Sequence, residues 1–325
     1  MRSKLHKGQS LPVLLGSLAL GSIMMILMLS ACGGARADGP QANATPSVSH
    51  IDWKPVDQAM GKPGTQLPGG VYRFSFPRTD LQVTLGGVVL KAGFALGSHV
   101  EFLPMGQHAM MMGDLVLTED EVNGVMVKLQ QEGIEQTALH NHLLGETPRV
   151  MYMHIDGQGD PVQLATSIHT ALALTKTPFT APATSGQPQP LDVDTKQLDS
   201  ILHANGKATG GIYQYSIARA ETITADGTTI PPAMGVATAL NFQPTGNGKT
   251  AITGDFVLLA QEVNPVIGVL EENGIEVTAV HSHMLTESPR LFYLHFWAND
   301  DALKLAHGLR AALDKTKTAT VAPQH

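Results

Sequence analysis

The chain has 325 residues, with 21 basic against 28 acidic side chains, a formal net charge of −7 and a single cysteine. A net negative body is repelled by phosphate backbones, which argues against a nucleic-acid partner. One cysteine excludes an internal disulfide.

Taken in chain order, Arg2, Lys4 and Lys7 precede an apolar run from Leu11 to Leu29, followed by Ser30-Ala31-Cys32-Gly33. A basic start, an apolar middle and small residues at a cut site form a secretory leader over residues 1–31, not a membrane span. Leu29-Ser30-Ala31-Cys32 resembles the lipobox of bacterial lipoproteins, which implies lipidation of Cys32 and a membrane partner through that lipid. The alternative is an ordinary leader with an incidental cysteine. Removing residues 1–31 takes away three basic and no acidic side chains, moving the charge from −7 to −10. By the same resemblance, Gly33 after the cysteine implies the outer membrane of a two-membrane bacterium, or otherwise the outer face of the cell membrane.

Residues 32–51 are small, polar and proline-bearing, too poor in apolar groups to offset the entropy of ordering, and read as a flexible tether. Two segments then follow, 52–176 and 197–317, separated by a linker at 177–196 that carries Pro178, Pro182, Pro188 and Pro190. The segments are copies. Gly69-Gly70-Val71-Tyr72 matches Gly210-Gly211-Ile212-Tyr213, Arg78 matches Arg219, and Gly113-Asp114 matches Gly254-Asp255, all at an offset of 141. The frame slips by one residue near Phe102 and Phe242.

Within the first copy, Val71–Phe76, Leu81–Leu85, Phe94–Leu103 and Met110–Leu117 are apolar or alternating runs punctuated by Gly and Pro, the pattern of strands. Thr118-Glu119-Asp120-Glu121 forms a capping box, after which Val122, Val125, Met126 and Leu129 recur at helical spacing up to Gly133. The second copy repeats the stripe as Val263, Val266, Ile267 and Leu270, with Leu259 in place of the capping Thr. Ile134–His142 and Arg149–Ile155 predict a hairpin closed by residues 143–148. Asp160-Pro161 then supplies an N-cap and a first-turn proline for a closing helix. The order of elements predicts an α+β fold in tandem duplication, each copy a mainly antiparallel sheet with two helices packed on it.

The densest match lies between residues 133–154 and 274–295, where 13 of 22 positions are identical without a gap. It retains His140-x-His142, Glu146, Pro148-Arg149 and Tyr152-x-His154, and in the second copy His281-x-His283, Glu287, Pro289-Arg290 and Tyr293-x-His295. Side chains at i and i+2 of a strand share a face about 7 Å apart, so each H-x-H projects as a pair. If the hairpin pairs in register, His154 and His295 lie beside them. Three imidazoles and a carboxylate in each copy form the ligand set of a divalent metal, zinc first, with Fe, Mn, Ni and Cu also compatible. A polar ligand pocket without metal and hydrogen-bonded structural histidines are the alternatives. Arg149 and Arg290 could clamp an anionic small-molecule ligand. Equally, they could pair with Asp114 and Asp255, the simpler expectation because those carboxylates sit in apolar surroundings and need a partner. The Met110-Met111-Met112 triplet has Ala251-Ile252-Thr253 as its counterpart and reads as core.

The blocks Ala138-Leu139-His140-Asn141-His142 with Pro148-Arg149 and Tyr152-x-His154, and Ala279-Val280-His281-Ser282-His283 with Pro289-Arg290 and Tyr293-x-His295, resemble the LppY/LpqO family of bacterial lipoproteins. The resemblance spans both copies and implies extracytoplasmic lipoprotein status, with no activity attached. A weaker likeness, Gly133…His140-x-His142…Glu146, is similar to the cupin metal motif but departs in glycine spacing and in the helix that precedes it. The sequence thus leads to a lipid-anchored envelope protein with a histidine-rich metal or ligand site in each repeat and an unassigned reaction. The alternative is a non-catalytic binding or scaffold lipoprotein with structural histidines.

Overall fold

The computed structural model describes residues 51–180 and 191–319. The leader, Cys32, nearly all of the expected tether and the centre of the expected linker lie outside the described residues. Among those described, no helix is long and apolar enough to cross a membrane.

The first repeat runs α1 (Trp53–Met60), β1 (Thr65–Gln66), β2 (Tyr72–Pro77), β3 (Thr84–Leu85), β4 (Val88–Val89), α2 (Ala92–Ala95), β5 (Gly97–Met105), β6 (His108–Thr118), α3 (Glu119–Gln131), β7 (Glu135–His140), β8 (Val150–Gly159) and α4 (Pro161–Leu172). The second runs α5 (Thr195–Leu202), β9 (Lys207–Thr209), β10 (Ile212–Ala218), β11 (Thr224–Ala225), β12 (Thr228–Thr229), β13 (Ala237–Gly246), β14 (Lys249–Leu258), α6 (Ala260–Glu272), β15 (Glu276–His281), β16 (Phe292–Asp300) and α7 (Ala302–Leu313). Each repeat builds a six-stranded antiparallel sheet, in the orders β1-β2-β5-β6-β8-β7 and β9-β10-β13-β14-β16-β15. The duplicated α+β architecture is therefore as its pattern implies.

Local chemistry explains most of the boundaries. Glu121 accepts the Thr118 N–H at 2.9 Å and Glu262 accepts the Leu259 N–H at 2.7 Å, so the Leu of the second copy keeps the glutamate half of the capping box. Asp160 accepts from the N–H groups of Val162 and Gln163, with Pro161 opening α4. Several expectations change. Leu81–Leu85 is not one strand but the start of the tight hairpin β3–β4, because Gly86 and Gly87, at φ +55° and +83°, fit a two-residue turn that needs positive φ twice. Residues 94–96 belong to the short α2 and its end, with β5 starting at Gly97. Helices α1 and α5 add a third long helix to each repeat, and α5 begins at Thr195, inside the stretch expected as linker.

Alternation along the strands gives each sheet two apolar faces. One face carries Phe74, Phe76, Phe102, Met111, Leu115, Met153 and Ile155 and packs under α1, α3 and α4. Its equivalent in the second repeat packs under α5, α6 and α7. The opposite faces turn toward the other repeat. Met110, Met112 and Val71 share a core with Ile223, Ile230, Met234 and Tyr293, while Phe94, Leu96 and Tyr152 share one with Ile212, Ala251 and Trp297. The methionine triplet is core, as expected. Each short hairpin is tied to the loop of its own histidine hairpin, Thr84 exchanging backbone hydrogen bonds with Thr147 and Thr224 with Ser288. From there it reaches across: the Lys91 N–H donates to Gln243 Oε1 and Gln243 Nε2 donates to Val89 O, both at 2.8 Å.

Candidate metal centre

The register of the hairpin decides which side chains meet. Across β6 and β8, Asp114 lies opposite His154; across β7 and β8, His154 lies opposite Ala138 and His140 opposite Tyr152. Directly paired residues of an antiparallel ladder share a face, so Asp114, His154, Tyr152 and His140 all project from the inner face. The second repeat repeats this with Asp255 opposite His295 and His281 opposite Tyr293. In both hairpins the register breaks just after Gln136 or Val277, leaving Thr137 and Thr278 out of the ladder as bulges. A bulge re-aims the strand, and these two do so reciprocally. Thr137 Oγ1 donates to the carbonyl of His283, and Thr278 Oγ1 donates to the carbonyl of His142.

The consequence is a single cluster. His140 stacks on His281 with ring centroids 3.5 Å apart and His154 on His283 at 3.7 Å, while His142 lies tilted against His295 at 3.8 Å. Exchanging each residue for its counterpart 141 positions away maps the first pair onto itself and the other two onto each other, the signature of a pseudo-twofold axis. His140 Nε2 lies 2.9 Å from His154 Nε2, and His281 Nε2 lies 2.8 Å from His295 Nε2. Tyr152 backs His142 and Tyr293 backs His283, each with centroids 3.3 Å apart. The expectation of one site per repeat is corrected: the histidines of both repeats converge because the inner faces of the two sheets are mated.

Ring orientation leaves nitrogen lone pairs directed inward. His295 Nδ1 lies 2.9 Å from Gly254 O and His140 Nδ1 lies 3.0 Å from Asn141 O; a ring that donates Nδ1–H to a carbonyl presents a bare Nε2. His142 Nε2, His283 Nε2, Asp114 Oδ1 and Asp255 Oδ1 are buried and have no hydrogen-bond partner. Three sets of donors lie close enough to hold an ion: His140, His154, His281 and His283; His140, His142 and His295; and Asp255, His283 and His295. Burial holds all six imidazoles neutral, His140 down to about 4 and His281 to about 3. It also pushes Asp114 up to about 7, and Asp255 well up, helped by the charge of Asp114. Neutral imidazole is the form that binds metal.

The remaining sequence candidates fall elsewhere. Glu146 and Glu287 stand outside the donor sets; each is buried in its hairpin loop, where its carboxylate faces the N–H of Val150 or Leu291 at the start of the return strand. Arg149 and Arg290 do not pair with Asp114 and Asp255. Arg149 is largely exposed, 3.8 Å from Glu119, while Arg290 contacts Glu287 and donates to Met284 O within its own loop. The aspartates face histidines instead, Asp114 3.9 Å from His142 and Asp255 3.6 Å from His283. The matched Arg78 and Arg219 are structural. Each is buried and donates to a strand carbonyl and to the capping glutamate, Arg78 to Glu121 and Arg219 to Glu262.

A cavity of about 760 Å³ opens against the cluster, walled by both repeats and reaching Asp114, His142, His154, Asp255, His283 and His295. Neither Arg149 nor Arg290 lines it. One flank holds Glu101, 2% exposed, with Oε1 3.0 Å from Arg73 Nε and 2.8 Å from His99 Nδ1. The equivalent flank holds Gln214 donating to Asn241 at 2.9 Å, with Ala239 in the place of His99. Sequence reasoning missed Thr137 and Thr278, Tyr152 and Tyr293 as ring supports, and the Arg73–Glu101–His99 group. The first four were visible as identities at the common offset; the last breaks the duplication and had no such signal.

Fold and site together define a tandem-repeat α+β protein in which two like domains share one histidine cluster. The chain belongs to the family described as Domain of Unknown Function (DUF1259), whose model matches residues 54–174 and 196–315. No curated protein matches the chain. Among solved structures it has remote similarity to a trimeric bacterial microcompartment shell protein, PduB, at 13% identity over 76% of this chain and 87% of that one, with a TM-score of 0.19. Similarity to EtuB from Clostridium kluyveri is 11% over 71% and 91% with a TM-score of 0.19, and to an unknown protein from Galdieria sulphuraria 9% over 66% and 99% with 0.17.

Proposed function

We propose that this protein is an exported, lipid-anchored envelope protein of the LppY/LpqO type whose two repeats jointly hold a divalent metal centre, zinc first, serving metal-assisted chemistry on a small molecule in the adjoining cavity. The observation that carries the reading is the set of buried donors without partners, His142 Nε2, His283 Nε2, Asp114 Oδ1 and Asp255 Oδ1, on the wall of that cavity. Leaving such groups unpaired costs about 1–3 kcal/mol each, and a cation bound beside His142 or His283 offsets that cost for the donors it meets. Neutral nitrogens suit a borderline cation, and open coordination positions facing a cavity are the mark of a catalytic rather than a structural site. The leader pattern around Cys32 supports the envelope placement.

A second reading, histidines as a structural hydrogen-bonded layer, draws on the His140–His154 and His281–His295 contacts, which can share a proton without any ion. It leaves His142 and His283 unexplained. Elemental analysis separates the two. Full-length protein purified after metal-replete growth is expected to retain at least stoichiometric divalent metal, with loss in a His140→Ala/His142→Ala/His281→Ala/His283→Ala variant. Only trace metal in the unmodified protein, with no rise in melting temperature on adding zinc, would hand the site to the structural reading.

A further inference from the structure

The pseudo-twofold axis constrains how many ions the cluster can hold. His140, His142 and His295 form one donor set. Their counterparts are His281, His283 and His154, and all three belong to the four-histidine set. Each trio takes its H-x-H pair from one repeat and its third ring from the strand of the other. His140 belongs to both sets, but its Nε2 serves one ion, and symmetry assigns it to the trio with His142. A trio of neutral imidazoles with an open position is the protein complement of a single catalytic zinc. Two such trios stand side by side, since His140 and His281 are in ring contact and the donors of each set lie within 4.8 Å of one another.

We infer that the cluster is a dinuclear centre, two divalent ions each held by three histidines drawn from both repeats, and that it takes an oxyanion-bearing ligand from the cavity. The inference rests on the metal reading above. Two-metal sites place their ions about 3.5–4 Å apart, a separation that adjacent trios of this spacing accommodate. Charge then names the ligand class. Two dications bring four positive charges, six imidazoles bring none, and Asp114 and Asp255, beside His142 and His283, return at most two. A buried excess of positive charge is costly and calls for an anion. An oxyanion with two oxygens can meet both ions, and the cavity brings it in between residues of both repeats.

Cobalt(II) titration of the metal-free full-length protein tests this, followed by visible absorbance. The expected break comes at two ions per chain, and single His142→Ala and His283→Ala variants each bring it to one. A break at one ion in the unmodified protein overturns the dinuclear assignment while leaving the metal reading intact; no binding overturns both. Should either variant lose its fold by circular dichroism, copper(II) loading of the unmodified protein decides. Coupling between neighbouring ions is expected to lower the spin count per copper, and a full count at two ions overturns the pairing. Inorganic phosphate added to the two-cobalt form is expected to change the spectrum saturably. An unchanged spectrum overturns the oxyanion assignment.

Discussion

The two repeats are alike where they touch the histidine cluster and unlike where they wall the cavity. Every ring, its tyrosine backing, the bulged threonine and the buried aspartate are duplicated, whereas Arg73, His99 and Glu101 face Gln214, Ala239 and Asn241 across the pseudo-axis. The difference separates two demands. A centre assembled from both halves needs each half complete, while a cavity needs only one flank to carry charge.

Acid should test the shared layer most severely. In metal-free protein the histidines are neutral when folded, His140 until about pH 4, whereas the unfolded chain takes up protons below about pH 6.5. Stability therefore falls as pH drops from 6.5 towards 4. Asp114, pushed up to about 7, acts in the opposite sense, since its contribution is lost as pH rises from the usual carboxylate value to 7. Six rings outweigh two carboxylates, each ring at about 1.4 kcal/mol per pKa unit, so the melting temperature in chelator is expected to be lower at pH 5 than at pH 7. A higher value at pH 5 would mean the rings are not held neutral.

The glycines before the aspartates should be unequal despite their identity. A Cβ on Gly254 would lie 1.9 Å from Ala239 O, while one on Gly113 would lie 2.9 Å from His99 O. Gly254→Ala is expected to cost about 4–5 kcal/mol by urea unfolding and Gly113→Ala about 1–3 kcal/mol. Equal costs would show that the strand pairs β5–β6 and β13–β14 yield equally. The arginines should be equal: Arg78→Met and Arg219→Met each strand a buried glutamate and should cost about 3–5 kcal/mol in the same assay.

The smallest effect concerns the tyrosines. Tyr152 donates to Ala95 O at 2.6 Å, and the buried hydroxyl of Tyr293 has no partner. Tyr152→Phe should cost about 1 kcal/mol and Tyr293→Phe should be neutral or stabilising. Similar costs for both would assign Tyr293 a partner contributed by the ligand or metal.

Local structure was legible because it is written locally. The helix after Thr118, the Asp160-Pro161 cap and the hairpin expected over Ile134–His142 and Arg149–Ile155 follow from spacing and capping chemistry, although the first strand stops at His140, and the common offset singled out the six of fourteen histidines that converge. Helix α1 was missed because Trp53–Met60 is short and interrupted by Pro55 near its start. The joint site was not legible. Whether His140 meets His281 is a contact between residues 141 apart, set by which sheet faces pack together, and nothing in either hairpin encodes it. Glu146 misled for the converse reason: its place beside the H-x-H is what a ligand pattern requires, yet its carboxylate turns to the N–H of Val150, 3.5 Å away in its own loop.

The reciprocal Thr137 and Thr278 hydrogen bonds and the crossed histidine trios have an ancestral implication. A chain with one repeat would complete the same centre as a homodimer about a true twofold axis. Joining the copies replaces encounter between two molecules by a fixed high effective concentration, so the site forms at any dilution. It also releases the two cavity walls from identity, which a symmetric dimer could never do, and here they differ, with Arg73, His99 and Glu101 set against Gln214, Ala239 and Asn241.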